Sequence, residues 1–355
     1  MSIAARLMIA RKRRRLTAKA LAEKSGLQAD TISRLENSLR RPDDGTLQKL
    51  ATALDYPESF FLKDACPSVD TGAVSFRSFS KMSARERDAA EAAGAIGLEL
   101  GAWVEERFSL PEPNLPDMTL QNDPETAAFN LRQHWSLGER PIGNLLNLLE
   151  VNGVRVFSLS ENTASVNAFS FWQDNKPYVF LNNFKTAESS IFDSAHELGH
   201  LVMHKHGDPK GGRLIEKEAN QFASAFLMPE RDVRAAVIRP VNVETLVRSK
   251  MRWRVSAMAL AYRLHYLGIL SEWQYKSTCI ELGKRGYRSG EPIGVDRETS
   301  SVWKKVLATL WGERITKNDV ARDLSIPLDE LEGLIWNLAS EEKAPSRGKP
   351  NLMVV

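Results

Sequence analysis

The chain has little cysteine. Cys66 and Cys279 are its two thiols, far apart and outside any CxxC spacing. That leaves no disulfide framework and suits a reducing cytoplasm with two structural thiols. Long apolar runs are also missing. None approaches the roughly 20 residues that a membrane-spanning helix needs, so no membrane is expected among the partners. The basic N-terminus is not followed by a continuous apolar stretch and a small-residue cleavage site, so no signal peptide is expected. What remains is ordinary for a globular protein: 43% hydrophobic and 26% charged residues. At 355 residues, two or three domains are expected.

The net charge of +3 conceals an asymmetry. Residues 1–41 hold eleven Lys/Arg against three acids, a net of +8, and the remaining 314 residues carry −5. A basic head on a mildly acidic body points to a polyanionic partner at the N-terminus alone. The pattern within the head agrees. Ile3–Arg14 reads as a helix with Leu7, Met8 and Ala10 inward. Thr17 is a candidate N-cap for a second helix over Ala18–Ser25, closed by Gly26, which accepts a positive φ. A third helix is predicted over Ala29–Asn37. Small Ala22 where two helices cross, Gly26 four residues later, and Leu21, Leu27, Ile32 and Leu35 as buried faces make up the mask of a helix-turn-helix. A small bundle with a solvated basic face is the alternative. It does not require this spacing together with this charge.

The chemistry-bearing stretch is Ile191–His204, which contains His196-Glu197-Leu198-Gly199-His200. On a helix, residues four apart share a face, so two imidazoles can grip one metal ion and the glutamate between them can act as general base. Apolar Ile191, Ala195, Leu198, Leu201 and Val202 around it make two histidines and a glutamate costly without partners. Gly199 in mid-helix is tolerated if something packs tightly against it. His206 is spaced as a third ligand, but Met203 stands where a chain-reversing glycine would be needed. The rival is a helix over Leu214–Leu227, where Glu216 and Asn220 lie four apart on one side. Glu216 is the preferred third ligand of a zinc ion. Asn220 is placed to hydrogen-bond a zinc histidine, and Glu218, on another side, ranks behind Glu216. An open fourth position would mark the zinc as catalytic. His204 is read as a residue behind the ligands, and His204 and Tyr178 are the candidates for an oxyanion donor. His134, beside Trp135, reads as packing.

Three strands precede the metal-binding helix, at Val154–Leu159, Ala168–Trp172 and Pro177–Asn182, with a polar hairpin turn over Gln173–Lys176. Such a sheet edge can hold an extended peptide by main-chain pairing. Lys63–Gly72 reads as a linker, Val74–Arg77 as a short strand or anchor, and Ser83–Phe108 as a long helix. Leu110–Met118 reads as an extended crossing, followed by helices at Asp123–Trp135 and Ile142–Asn152. Helices are also predicted at Val243–Lys250, Ser256–Leu267 and Glu272–Gly283, and a polar tail at Glu341–Pro350. Ile315–Leu338 imitates a second helix-turn-helix, yet its acids make it a poor fit for DNA and favour packing or protein binding.

The head resembles the XRE (Cro/C1-type) repressor family over about residues 4–62, through Leu16-Thr17, Leu21-Ala22, Gly26, Ile32–Asn37, Arg41-Pro42 and Leu47-x-x-Leu50-Ala51-x-x-Leu54. The resemblance implies that Gln28, Ala29, Asp30, Thr31 and Arg34 face bases or nearby phosphates of double-stranded DNA. Arg34 would be able to grip a guanine, and Arg11–Arg15, with Arg13 and Arg14 foremost, would neutralise phosphates. It also implies a homodimer. The sequence departs from the family at Ala18, where a glutamine is common, and at Ala29.

Residues 150–235 resemble the ImmA/IrrE metallopeptidases. The match rests on His196-Glu197-Leu198-Gly199-His200-Leu201-x-x-His204 and on Glu216-x-x-Ala219-Asn220-x-Phe222-Ala223-x-x-Phe226-Leu227-Met228-Pro229, with Val179-x-Leu181-Asn182 before them. Phe226 stands where leucine is commoner. The resemblance implies Zn2+ on His196, His200 and Glu216 with Glu197 as base, and cleavage of a repressor or antitoxin protein under stress. Together the two matches resemble the helix-turn-helix metallopeptidase regulators of bacteria and phages. The expected fold is α+β: an all-α head at 1–65, a linker and helical connector at 66–150, a zincin-like domain with a small sheet at 151–235, and a helical domain at 236–355. The expected location is the cytoplasm, at the nucleoid. The alternative is a regulator or antitoxin whose zincin-like domain senses or binds a protein without cleaving it.

Overall fold

The computed structural model describes residues 2–67, 69, 83–159, 168–182, 184–204, 212–287, 290–335 and 337–339. Val74–Arg77, His206 and the tail at Glu341–Pro350 lie outside the described residues.

The head is five helices: α1 (Ser2–Arg13), α2 (Ala18–Ser25), α3 (Ala29–Glu36), α4 (Asp44–Leu54) and α5 (Glu58–Leu62). The hydroxyl of Thr17 caps α2 by accepting from Ala20 N at 3.1 Å. Gly26 ends α2 at φ +68°, a left-handed conformation that an L side chain strains to adopt. Leu7, Leu21, Ile32, Leu35, Leu50, Leu54 and Phe60 fill the centre.

One helix, α6 (Ala84–Glu105), carries the head on one side and the sheet on the other. A capping box of Ser83 and Glu86 starts it. Its small residues, Ala89, Ala90, Ala93 and Ala95, allow close approach from both sides. An extended crossing follows, fastened by Met118 N donating to Val202 O at 2.8 Å, and then α7 (Pro124–His134) and α8 (Leu145–Val151).

Among the described residues the sheet has three strands, β1 (Arg155–Leu159), β2 (Phe169–Gln173) and β3 (Lys176–Asn182), in the order β1-β3-β2. β1 pairs with β3 in parallel, and β2 pairs with β3 as an antiparallel hairpin. The hairpin turns on Asp174 and Asn175, both at positive φ, as a tight two-residue turn requires. Phe157, Phe169, Phe171, Tyr178 and Phe180 stack on the face towards α6. The alternate residues of β2, Ser170 and Trp172, reach the opposite face, where they meet α9 (Ala187–Met203).

α10 (Gly212–Leu227) runs antiparallel to α9. A Cβ on Gly199 would sit 2.9 Å from Cδ1 of Phe222, so the glycine is what lets these two helices meet. Two buried arginines hold the far end of α10: Arg132 donates to Phe226 O at 2.5 Å and Arg263 to Met228 O at 2.9 Å. α11 (Glu230–Ala236), α12 (Val243–Ser249), α13 (Ala257–Tyr266) and α14 (Glu272–Lys284) follow. Just after α12, buried Lys250 pairs with Glu188 at 2.7 Å and Glu291 at 2.8 Å, which pins the first turn of α9.

The last described helices are α15 (Ser301–Gly312), α16 (Lys317–Leu324) and α17 (Leu328–Ile335). They repeat the head's motif in geometry as well as in sequence. Thr316 caps α16 as Thr17 caps α2, and Ser325 ends α16 at φ 57° where Gly26 ends α2. α17 lies against β1, and its acids reach the head. Glu330 meets Arg13 Nε at 2.8 Å and accepts from the Tyr56 hydroxyl at 2.9 Å, and Asp329 meets Arg14 at 2.6 Å. The architecture is α+β, as expected.

Candidate metal centre and DNA-facing surface

The antiparallel pair α9 and α10 brings His196, His200 and Glu216 together. One ligand atom from each lies within 4.8 Å of the others. The two Nε2 atoms are 3.0 Å apart, and each stands 3.5 Å from an oxygen of Glu216. The edge of a tetrahedron with bonds of about 2.0–2.1 Å is about 3.3 Å, so the three atoms suit a zinc-sized cation. Glu216 Oε1 is buried and has no hydrogen-bond partner, as expected of an atom meant for a cation. Burial, with the neighbouring His200, pulls His196 down to about 4. Burial, with His204, pulls His200 down to about 3. Both imidazoles are therefore neutral at pH 7, the form that offers a lone pair to a metal. The residues present thus fit a zinc ion on geometry, orphaned acceptor and donor chemistry alike.

Around these three stand the supporting residues. Asn220 Oδ1 lies 3.1 Å from Nδ1 of His196. His204 Nδ1 lies 3.1 Å from Nδ1 of His200. Glu218 pairs with Nε2 of His204 at 3.0 Å and stays out of the ligand cluster. Glu197 is 1% exposed, and burial pushes its carboxyl up to about 8. Ser170, on the inner side of β2, donates to Glu197 Oε2 at 2.6 Å. Sequence reasoning missed this serine. The signal was there, since a lone hydroxyl alternates with two phenylalanines in an aromatic strand.

Of the two candidates for the oxyanion donor, one lies away from the cluster and the other is engaged beside it. Tyr178 is on the α6 face of the sheet, its ring stacked 5.4 Å from Phe171, because period-2 alternation turns it away from α9. His204 has its two ring nitrogens engaged with His200 and Glu218. His134 stands apart from the cluster, its Nε2 2.8 Å from Asn114 Oδ1.

In the head, Gln28, Asp30 and Arg34 are exposed on α3, and Thr31 is half-buried. Arg34 Nε bridges to Asp30 at 2.8 Å within this exposed surface. Arg13 and Arg14 are not on it. They face α17, because Glu330 and Asp329 compensate them there. Arg11 is likewise taken by Glu36 at 2.5 Å, and Lys12 by Asp88 at 2.8 Å. Arg13 and Arg14, expected to neutralise phosphates, are ion-paired within the chain in this structure, as are Arg11 and Lys12. The exposed cations of the head are Lys19, Lys24, Arg34, Arg40, Arg41 and Lys49.

Comparison with known families agrees with this division of labour. Two separate segments are matched: residues 7–61 match a helix-turn-helix family model. Residues 149–265 match the IrrE N-terminal-like domain, a metallopeptidase family. The second match extends past α10 through α13, the helices that anchor α10 and the start of α9. No curated protein matches the chain. No described helix is long and apolar enough to cross a membrane.

Proposed function

We propose that this protein is a DNA-binding transcriptional regulator whose zinc-dependent peptidase domain cleaves a partner protein, a repressor or antitoxin, in a stress or phage response. The observation that carries this reading is the convergence of His196, His200 and Glu216 behind a DNA-binding motif. His196, His200 and Glu216 would hold the zinc, which when bound acidifies a water and polarises a carbonyl. Glu197 takes the proton of the attacking water and hands it to the leaving nitrogen. Burial raises this carboxyl to about 8 in the metal-free chain, and a bound cation would favour the ionised form that takes the proton. Among the described residues β2 is an outer strand of the sheet, and its edge would offer main-chain groups to an extended substrate. Gln28, Asp30, Thr31 and Arg34 read the operator, as a homodimer over two half-sites. The working division is a head at 1–65, a connector at 66–150, a peptidase domain at 151–235 and a helical domain at 236–355. The protein acts in the cytoplasm, on the nucleoid.

The second reading, a protein sensor or antitoxin that does not cleave, draws support from one fact: Glu197 lies beneath Ser170 with almost no exposure. One experiment separates the two. Zinc-loaded wild type and Glu197→Gln are each co-expressed with proteins encoded beside the gene. Cleavage by wild type alone, with zinc retained in both, is expected. Unchanged biological output in Glu197→Gln would favour the sensor.

A further inference from the structure

We propose that Glu218 is a positioning residue that sets the tautomer of the metal-binding histidine His200 through His204. This deepens the zinc reading above and rests on it. Three residues spaced two apart on α10 take three different places: Glu216 in the cluster, Glu218 on His204, and Asn220 on His196. His204 is one turn beyond His200, where α9 has ended, and this brings its ring against both His200 and Glu218.

The hydrogens along this chain follow from one fact. An ionised carboxylate can only accept. With Glu218 Oε2 3.0 Å from His204 Nε2, that nitrogen carries the hydrogen, and in a neutral imidazole Nδ1 is then the acceptor. Nδ1 of His204 faces Nδ1 of His200 at 3.1 Å, so His200 must supply the hydrogen there. Nε2 of His200 is thereby left with its lone pair, 3.0 Å from Nε2 of His196 and 3.5 Å from Glu216 Oε1. The Asn220 oxygen sets His196 the same way in a single step. The outcome is three acceptors facing one another with no donor between them, an arrangement that only a cation relieves. A relay ending in a carboxylate also makes the His200 nitrogen a stronger donor to that cation.

The test uses the full chain with 15N-labelled histidine, stripped of metal with a chelator, and reads ring tautomers by NMR and zinc affinity by titration with the metal alone. Wild type should show His200 with its hydrogen on Nδ1. Glu218→Ala should give a mixture of tautomers at His200 and zinc binding weaker by about 10- to 100-fold. His204→Phe should reproduce that loss. Glu218→Gln keeps an acceptor oxygen and should recover most of the wild-type tautomer. Glu218→Ala with an unchanged His200 tautomer, or with zinc affinity within about twofold of wild type, overturns the relay, whatever its thermal stability. Wild type that binds no zinc overturns the zinc reading along with it.

Discussion

Two kinds of buried titratable group meet at the centre of this protein, and they pull stability in opposite directions. His196 and His200 are held at about 4 and about 3, below the ordinary imidazole value. In metal-free protein the unfolded chain takes up these protons first. Their contribution is therefore present above about pH 6.5 and is lost as pH falls towards 4. Glu197 is held at about 8, above the ordinary carboxyl value. Its contribution is present below about pH 4.5 and is lost as pH rises through 8. Glu197→Gln removes that loss. Metal-free Glu197→Gln should be more stable than wild type at pH 8 by about 1–3 kcal/mol, with little difference at pH 4.5. Urea denaturation in chelator at the two pH values reads this. An equal gain at both would show that the carboxyl is not held neutral. Sequence showed which residues would converge here, but it did not show Glu218 on His204. Counting angles around α10 gives its direction relative to Asn220, whereas its partner depends on where α9 ends.

Among the elements, the crossing of α9 and α10 decides whether the cluster forms. Gly199→Ala gains about 1 kcal/mol of helix propensity. It also drives a methyl to 2.9 Å from the Phe222 ring, and overpacking costs about 1–3 kcal/mol. The loss should win, because Phe222 is fully buried and has no room to withdraw. The expected result is a lower melting temperature together with weaker zinc binding, since the separation of the helices sets the distances to Glu216. Unchanged zinc affinity in Gly199→Ala would mean that the crossing is not what positions the ligands. The strands, the hairpin turn and the head helices were legible in sequence because each is coded locally, by alternation, by turn residues or by caps such as Thr17. Ser170 was not, because its meaning lies across the sheet, in Glu197.

Across the whole molecule, the repeated motif of α16 and α17 turns Asp329 and Glu330 towards Arg14 and Arg13 of the head. Arg13 and Glu330 are 317 residues apart in the chain, so the fate of the basic run could not be read from the run. With Glu330 3% exposed, removing it takes the charge partner from the buried Arg13 guanidinium, at a cost of about 3–5 kcal/mol. Glu330→Ala should loosen the head, seen as faster hydrogen exchange in α1 and α5. The pair Arg13→Glu with Glu330→Arg should recover part of the loss. Unaltered exchange in Glu330→Ala would mean that this contact does not hold the head. On DNA, Arg34→Ala should weaken operator binding. Arg13→Ala should leave the salt dependence of binding unchanged if its pairing with Glu330 persists on DNA. A shallower salt slope in Arg13→Ala would return that arginine to the DNA surface.

The zinc content of the purified chain decides whether His196, His200 and Glu216 form a metal site, with wild type compared against Glu216→Ala and Glu197→Gln. One zinc per chain is expected in wild type and in Glu197→Gln, and strongly reduced zinc in Glu216→Ala. Equal zinc in Glu216→Ala and wild type, or none in either, would contradict it.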